Sequence, residues 1–156
     1  MQEKQNQTSG MIRICTHEEM LQESGFDLGS PISGSMRPMI RPRRDSVLFV
    51  PKGSSLVPGD VVLYRSHGVA VMHRILKKGE GGYVIRGDNS PAVEWVLEEQ
   101  IIAVMQGFYR DERYYPKEHI PYRIYAWLWP RLHPLLMVYK GLRNLERRIR
   151  RRLRGR

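Results

Sequence analysis

The stretch DVVLYRSHGVAVMHRILKKGEGGYVIRGDN, residues 60–89, decides the fold. Three runs rich in Val, Ile, Leu and Tyr lie within it, at Asp60 to Arg65, Val69 to Leu76 and Tyr83 to Arg86. His67-Gly68 and Gly79-Glu80-Gly81-Gly82 cut them apart. β-Branched and aromatic residues suit a pleated, half-buried surface, and glycine-bearing pairs reverse a chain tightly, so these runs read as successive antiparallel strands. Working outward, Ser46 to Pro51 and Ile101 to Arg110 add two more, set off by Lys52-Gly53-Ser54, Pro58-Gly59-Asp60 and Gly87-Asp88-Asn89-Ser90-Pro91. The expectation is a mostly β fold with a small antiparallel sheet, coiled or barrel-like. Upstream, residues 1–10 read as a loose head, Met11 to Cys15 alternates apolar and polar, and Thr16 with Glu19 forms a capping box for a short helix ended by Gly25. Pro31 to Arg43 reads as an irregular loop with one helical turn at Met36 to Ile40.

The glycine turn also predicts a register. Two strands joined by a symmetric loop pair residues whose numbers share one sum, and a two- or four-residue loop here gives the same sum. That arithmetic sets Ile75 opposite Arg86, Val71 opposite Ser90 and His73 opposite Asp88, within imidazole-to-carboxylate reach. A bulge would shift the register by one. A carboxylate beside a histidine fixes its tautomer and stabilises the imidazolium, which is half of a hydrolytic apparatus; the other reading is a satisfied core histidine.

The chain of 156 residues suits one domain. One cysteine, Cys15, forms neither an internal disulfide nor a zinc cluster. Net charge is +10, and residues 1–122 balance to zero. The whole excess sits in residues 123–156, where basic residues face Glu146 alone. The expected organisation is therefore a neutral β domain, residues 11–122, with a basic amphipathic helical tail, residues 123–156. No apolar leader and no apolar run long enough to span a bilayer are read from the sequence, so the expected location is cytoplasmic with peripheral membrane attachment. No cofactor and no metal are expected; His17, His67, His119 and His133 lack a carboxylate or serine context in the sequence.

In the tail, from Pro134 onward, Leu135, Val138, Leu142, Leu145, Ile149 and Leu153 recur at helical spacing, with arginines filling the rest. Trp127, Trp129 and Tyr139 precede or begin the pattern. An arginine-rich amphipathic helix beside aromatics fits an anionic membrane surface. Packing on the sheet or a protein partner is the second reading, and nucleic acid the least favoured.

The segment Ser33-Gly34-Ser35-Met36-Arg37-Pro38 resembles the serine motif of type I signal peptidases and the related LexA-like self-cleaving repressors. Leu56-Val57-Pro58-Gly59-Asp60-Val61-Val62, Val71-Met72-His73-Arg74-Ile75 and Gly87-Asp88-Asn89 continue the likeness in family order. A histidine rather than a lysine in the third block resembles the Ser-His branch of the endoplasmic reticulum, archaea and some spore-forming bacteria. The resemblance implies Ser35 as nucleophile, His73 as general base and Asp88 as the orienting acid, with Glu94 as the second candidate acid. It implies an oxyanion site from the Ser35 N–H and the Ser33 hydroxyl. The expected function is a serine endopeptidase of signal-peptidase type, cleaving a signal or leader peptide laid along a sheet edge. The alternatives are a non-catalytic membrane-surface or peptide-binding module on the same scaffold, or a LexA-like regulator that cleaves itself.

Overall fold

The computed structural model describes residues 16–154, with side chains through Arg151. The expected loose head and the alternating segment Met11 to Cys15 lie outside the described residues. Thr16 opens α1 (His17–Ser24) with the full capping box: its hydroxyl accepts from the Glu19 N–H at 3.2 Å, and the Glu19 carboxylate accepts from the Thr16 N–H at 2.8 Å. Gly25 ends the helix in the left-handed region.

Eight strands follow: β1 (Asp27–Gly29), β2 (Asp45–Pro51), β3 (Val61–Ser66), β4 (Val69–Gly79), β5 (Gly82–Arg86), β6 (Val93–Leu97), β7 (Ile101–Arg110) and β8 (Arg113–Pro116). Every pairing is antiparallel, in the order β1-β2-β7-β3-β4-β5-β6, with β8 beside β7. The sheet is open, with β1 and β6 at its edges, and the fold is mostly β with a C-terminal helix. The three strands that composition did not predict, β1, β6 and β8, are three to five residues long.

Both faces of the sheet are covered. In β3, Val61 and Leu63 enter one apolar cluster with Met36, Val47, Phe49 and Met105. Val62 and Tyr64 enter a second with Ile75, Tyr83, Ile85 and Val96. Alternation sends successive strand residues to opposite faces, so a strand buried on both sides reads as an unbroken apolar run. β4 carries the consequence: His73 shares a face with Val62 across the ladder, and Arg74 shares the other with Val61.

The β4–β5 hairpin corrects the register arithmetic. Gly79, Lys78 and Lys77 pair with Gly82, Tyr83 and Val84 as expected. A bulge between Ile75 and Lys77 then adds one residue to β4, so that Ile75 faces Ile85 rather than Arg86, and Arg74 faces Arg86. His73 therefore stands across from Gly87, and Asp88 moves to the face of Arg74.

The tail departs from expectation at its start. Helix α2 runs from Ile120 to Arg154, three residues ahead of the expected tail and through Pro130 and Pro134. Pro134 cannot donate to the Pro130 carbonyl, and Arg86 supplies a substitute donor there at 3.4 Å. The first half of α2 docks on the sheet through Tyr122, Tyr125, Trp129 and His133.

Candidate active site

Met36 and Ile40 are buried in the first cluster, and the Ile40 N–H closes one helical turn on the Met36 carbonyl at 3.1 Å. Anchoring Met36 fixes Ser35 just before it. The turn after β5 fixes it from the other side: the Asn89 N–H donates to the Ser35 carbonyl at 2.7 Å, and the Asn89 amide donates to the Gly34 carbonyl at 3.2 Å. Two of the sequence blocks, 54 residues apart at Ser35 and Asn89, thus meet through backbone hydrogen bonds.

His73 reaches the same place from β4. Its ring is almost wholly buried. Gly87 has no Cβ because there is no room for one: a Cβ there would sit 2.9 Å from His73 Nε2 and 2.9 Å from the Ser35 carbonyl oxygen. The Nε2 edge of the imidazole and the Ser35 backbone therefore flank one small gap. Among the described residues, the Ser35 hydroxyl bonds the Ser33 hydroxyl at 3.2 Å and no bond joins it to His73. Catalytic hydrogen bonds commonly tighten only when substrate is present.

The other edge of the ring sets its tautomer. Tyr64 Oη lies 2.9 Å from His73 Nδ1 and donates its proton to Glu94 Oε2 at 3.0 Å. A phenol has one proton, and a carboxylate can only accept, so the Tyr64 oxygen must accept from Nδ1–H. Neutral His73 then carries its proton on Nδ1 and leaves the Nε2 lone pair facing the Ser35 side. Glu94 Oε1 also stands 3.6 Å from Nδ1, so the carboxylate supports the ring directly as well as through the phenol. Burial pushes the His73 pKa below its ordinary value, and the negative fields of Glu94 and then Asp88 oppose that only in part. The Tyr64 phenol is driven upward by burial and by Glu94, so it stays protonated.

Asp88 does not bond His73. Arg74, fully buried, donates to both its carboxylate oxygens, from Nε and Nη2, each at 2.8 Å. Tyr125 Oη donates to the same carboxylate at 2.9 Å, and Arg74 also reaches the Gly59 carbonyl at 2.7 Å and Tyr122 Oη at 3.2 Å. Burial opposes the charge on Arg74, but the negative field of Asp88 and the hydrogen bonds to Asp88 and Tyr122 hold it cationic. The placement of Asp88 opposite His73 is thereby corrected: the bulge carries it to the far face, where it locks β4 to the 87–90 turn and to α2. Glu94, the second candidate, occupies the position beside the imidazole.

Sequence reasoning missed Tyr64, and the signal was available. The two-residue His67-Gly68 turn fixes Ser66 opposite Val69 and Val62 opposite His73, which places Tyr64 diagonally across the ladder from the histidine. It also left His17 without a carboxylate context, whereas His17 Nδ1 lies 2.6 Å from the buried Asp27 carboxylate, tying α1 to β1. Among the described residues no three His, Cys, Asp or Glu side chains gather as metal ligands. A cavity of about 810 Å³ lies elsewhere, between α2 and β3–β5, lined by Val61, Ile75, Arg86, Ala126 and Trp127. It holds none of Ser35, His73 or Glu94, and a cleft beside a docked helix arises from packing alone, so the convergence of side chains is the better guide to chemistry. No family model matches the chain, and no curated protein matches it.

Proposed function

We propose that the chain is a serine endopeptidase of signal-peptidase type, acting on signal or leader peptides, in which Ser35 is the nucleophile, His73 the general base and Glu94 the orienting acid. The observation that carries the reading is the fixed tautomer of His73. Tyr64 and Glu94 hold Nδ1–H, and Nε2 is turned toward the segment bearing Ser35. In the reaction the Ser35 hydroxyl rotates from Ser33 to Nε2 and gives up its proton as Oγ bonds to the peptide carbonyl carbon. The C–N bond of the tetrahedral adduct then breaks, with the proton passing from Nε2 to the departing amine. Water, deprotonated by the same Nε2, hydrolyses the acyl-serine. The Ser35 N–H and the Ser33 hydroxyl are the donors assigned to the oxyanion. Asp88 serves as a positioning residue, holding through Arg74 the turn that carries Asn89 and the Ser35 loop.

The Ser33–Ser35 hydrogen bond favours a second reading, a peptide-binding scaffold without chemistry. One experiment separates the two: incubate the chain with candidate leader peptides beside Ser35→Ala and His73→Ala. Loss of cleavage in both variants with thermal unfolding unchanged supports the peptidase; equal cleavage by wild type and Ser35→Ala removes it.

A further inference from the structure

Helix α2 has two jobs on two faces. At 100° per residue, Tyr122, Tyr125, Trp129, His133 and Lys140 fall in one wedge of its surface. Those side chains hold the β domain: Trp129 Nε1 donates to the Asp88 carbonyl at 2.8 Å, His133 Nε2 donates to the Ser90 carbonyl at 2.8 Å, and Lys140 bonds Asn89. The opposite face is largely apolar. Ile124, Leu135, Val138, Leu142 and Leu145 lie along it, between 55% and 68% exposed; Arg131 also falls on it, its guanidinium 4.3 Å over the ring of Trp127, which borders the cleft beside the sheet. Arginines 143, 147, 148 and 151 occupy the docked side and its flanks, and the one acid of this segment, Glu146, is already paired with Arg150 at 2.6 Å. No helix among the described residues is long and apolar enough to cross a membrane.

We propose that α2 lies flat on an anionic lipid surface, its apolar line in the acyl boundary and its arginines among the headgroups, and that it thereby holds the 87–90 turn beside the bilayer. Charge selects this occupant. A second copy packed along the same line would bring two arginine-rich segments together with one acid each, and nucleic acid would leave the apolar line in water. An anionic surface satisfies both faces. The helix is about 10 Å across. The turn it carries, and with it the Ser35 loop, therefore stands roughly one helix diameter above the lipid. Peptides already adsorbed on the membrane are the substrates this placement suits. That last point rests on the peptidase reading, whereas the attachment itself does not.

Sedimentation with vesicles of phosphatidylglycerol and phosphatidylcholine, and with phosphatidylcholine alone, tests it on the full chain. Wild type and Ser35→Ala are both expected to pellet with the anionic vesicles and to be released by salt. Leu142→Glu with Leu145→Glu, beyond the docked half of α2, is expected to abolish pelleting while the unfolding temperature stays unchanged. Removing three arginines as Arg147→Gln, Arg148→Gln and Arg151→Gln is expected to weaken binding about 100-fold, at about fivefold each. Equal pelleting with phosphatidylcholine overturns the proposal. So does a dimer that Leu142→Glu dissolves, or tighter binding to duplex DNA than to anionic vesicles. Vesicle binding retained by an inactive Ser35→Ala leaves the attachment standing whatever becomes of the peptidase.

Discussion

The two acidic candidates, Asp88 and Glu94, are separated most sharply by what each costs when neutralised. Asp88→Asn keeps the side-chain volume and removes the charge, leaving the Arg74 guanidinium, fully buried, with neutral partners only: one amide oxygen, the Gly59 carbonyl and two phenols. Removing one partner of a buried, doubly hydrogen-bonded ion pair costs about 3–5 kcal/mol, because the other charge stays uncompensated. For a chain of this length each kcal/mol moves the midpoint by about 2–4 °C, so Asp88→Asn should unfold roughly 6–20 °C lower. A domain in the middle of the ordinary range, about 10 kcal/mol, still folds after that loss. Adding Arg74→Met to Asp88→Asn removes the stranded cation and should recover part of it, a non-additivity of about 1 kcal/mol or more. Glu94 is different: its side chain is 35% exposed, so Glu94→Gln should cost at most about 1 kcal/mol while lowering kcat/KM. Differential scanning calorimetry of Asp88→Asn, Arg74→Met, their combination and Glu94→Gln beside peptide turnover reads both axes. If Asp88→Asn melts within about 2 °C of wild type, or Glu94→Gln proves the more destabilising of the two, the assignment of one carboxylate to the fold and the other to the imidazole is wrong.

Gly87→Ala should push His73 and the Ser35 carbonyl apart, since its Cβ has 2.9 Å to each; a misplacement approaching 1 Å costs about 100-fold, read as kcat/KM with binding of an uncleaved peptide retained. Tyr64→Phe keeps the buried ring and deletes the bridge from Nδ1 to Glu94, so kcat should fall about 10- to 100-fold with KM nearly unchanged. The acidic limb of kcat/KM should have its midpoint below 6.5, and Glu94→Gln should move it lower still, because Glu94 is the strongest influence raising the His73 pKa. Stability has its own pH signature: burial depresses both His73 and His133, so the unfolded chain binds more protons below about 6.5. Urea midpoints should fall between pH 7 and pH 5, and by less in His133→Gln. Deletion of Leu76, the extra residue at the bulge, should leave peptide cleavage intact; a folded but inactive deletion variant refutes the register argument below.

Strand composition and turn glycines made β2, β3, β4, β5 and β7 legible within a few residues, because these strands are long and their faces apolar. β1, β6 and β8 are short edge or flanking strands that rely on a neighbour's ladder rather than on their own composition, and nothing in Asp27-Leu28-Gly29 announces one. The helix start at Ile120 was hidden for a related reason. Pro130 and Pro134 interrupt the apolar run, and docking of Tyr122, Trp129 and His133 and a donor from Arg86 hold the helix through them. Of the site, Ser35 and His73 were legible as short motifs, and the structure brings their segments together at Gly87. Tyr64 went unread because an aromatic residue in an apolar strand looks like core, which it also is. The acid was the hardest element, since its identity depends on the ladder rather than on the residue.

One inserted residue decides that question. Along β4 a regular ladder would put His73 across from Asp88 and leave Arg74 facing Gly87, with no carboxylate for a buried guanidinium. The bulge turns both residues over relative to the hairpin end: Arg74 gains the bidentate carboxylate, and His73 gains the bare glycine beside which its Nε2 edge lies open. The site register is also held independently of the turn, by the β3–β4 ladder and by β5 pairing with β6. Leu76 therefore absorbs a mismatch between the glycine turn and that register; it does not create the register. Without it, Lys77 would follow Ile75 directly, still facing Val84 and Ile85 respectively, and the alternation of faces would become regular. Cleavage retained on deletion of Leu76 would place the aim of the imidazole in the β3–β4 and β5–β6 ladders and the ion pair of Arg74 and Asp88 rather than in the hairpin.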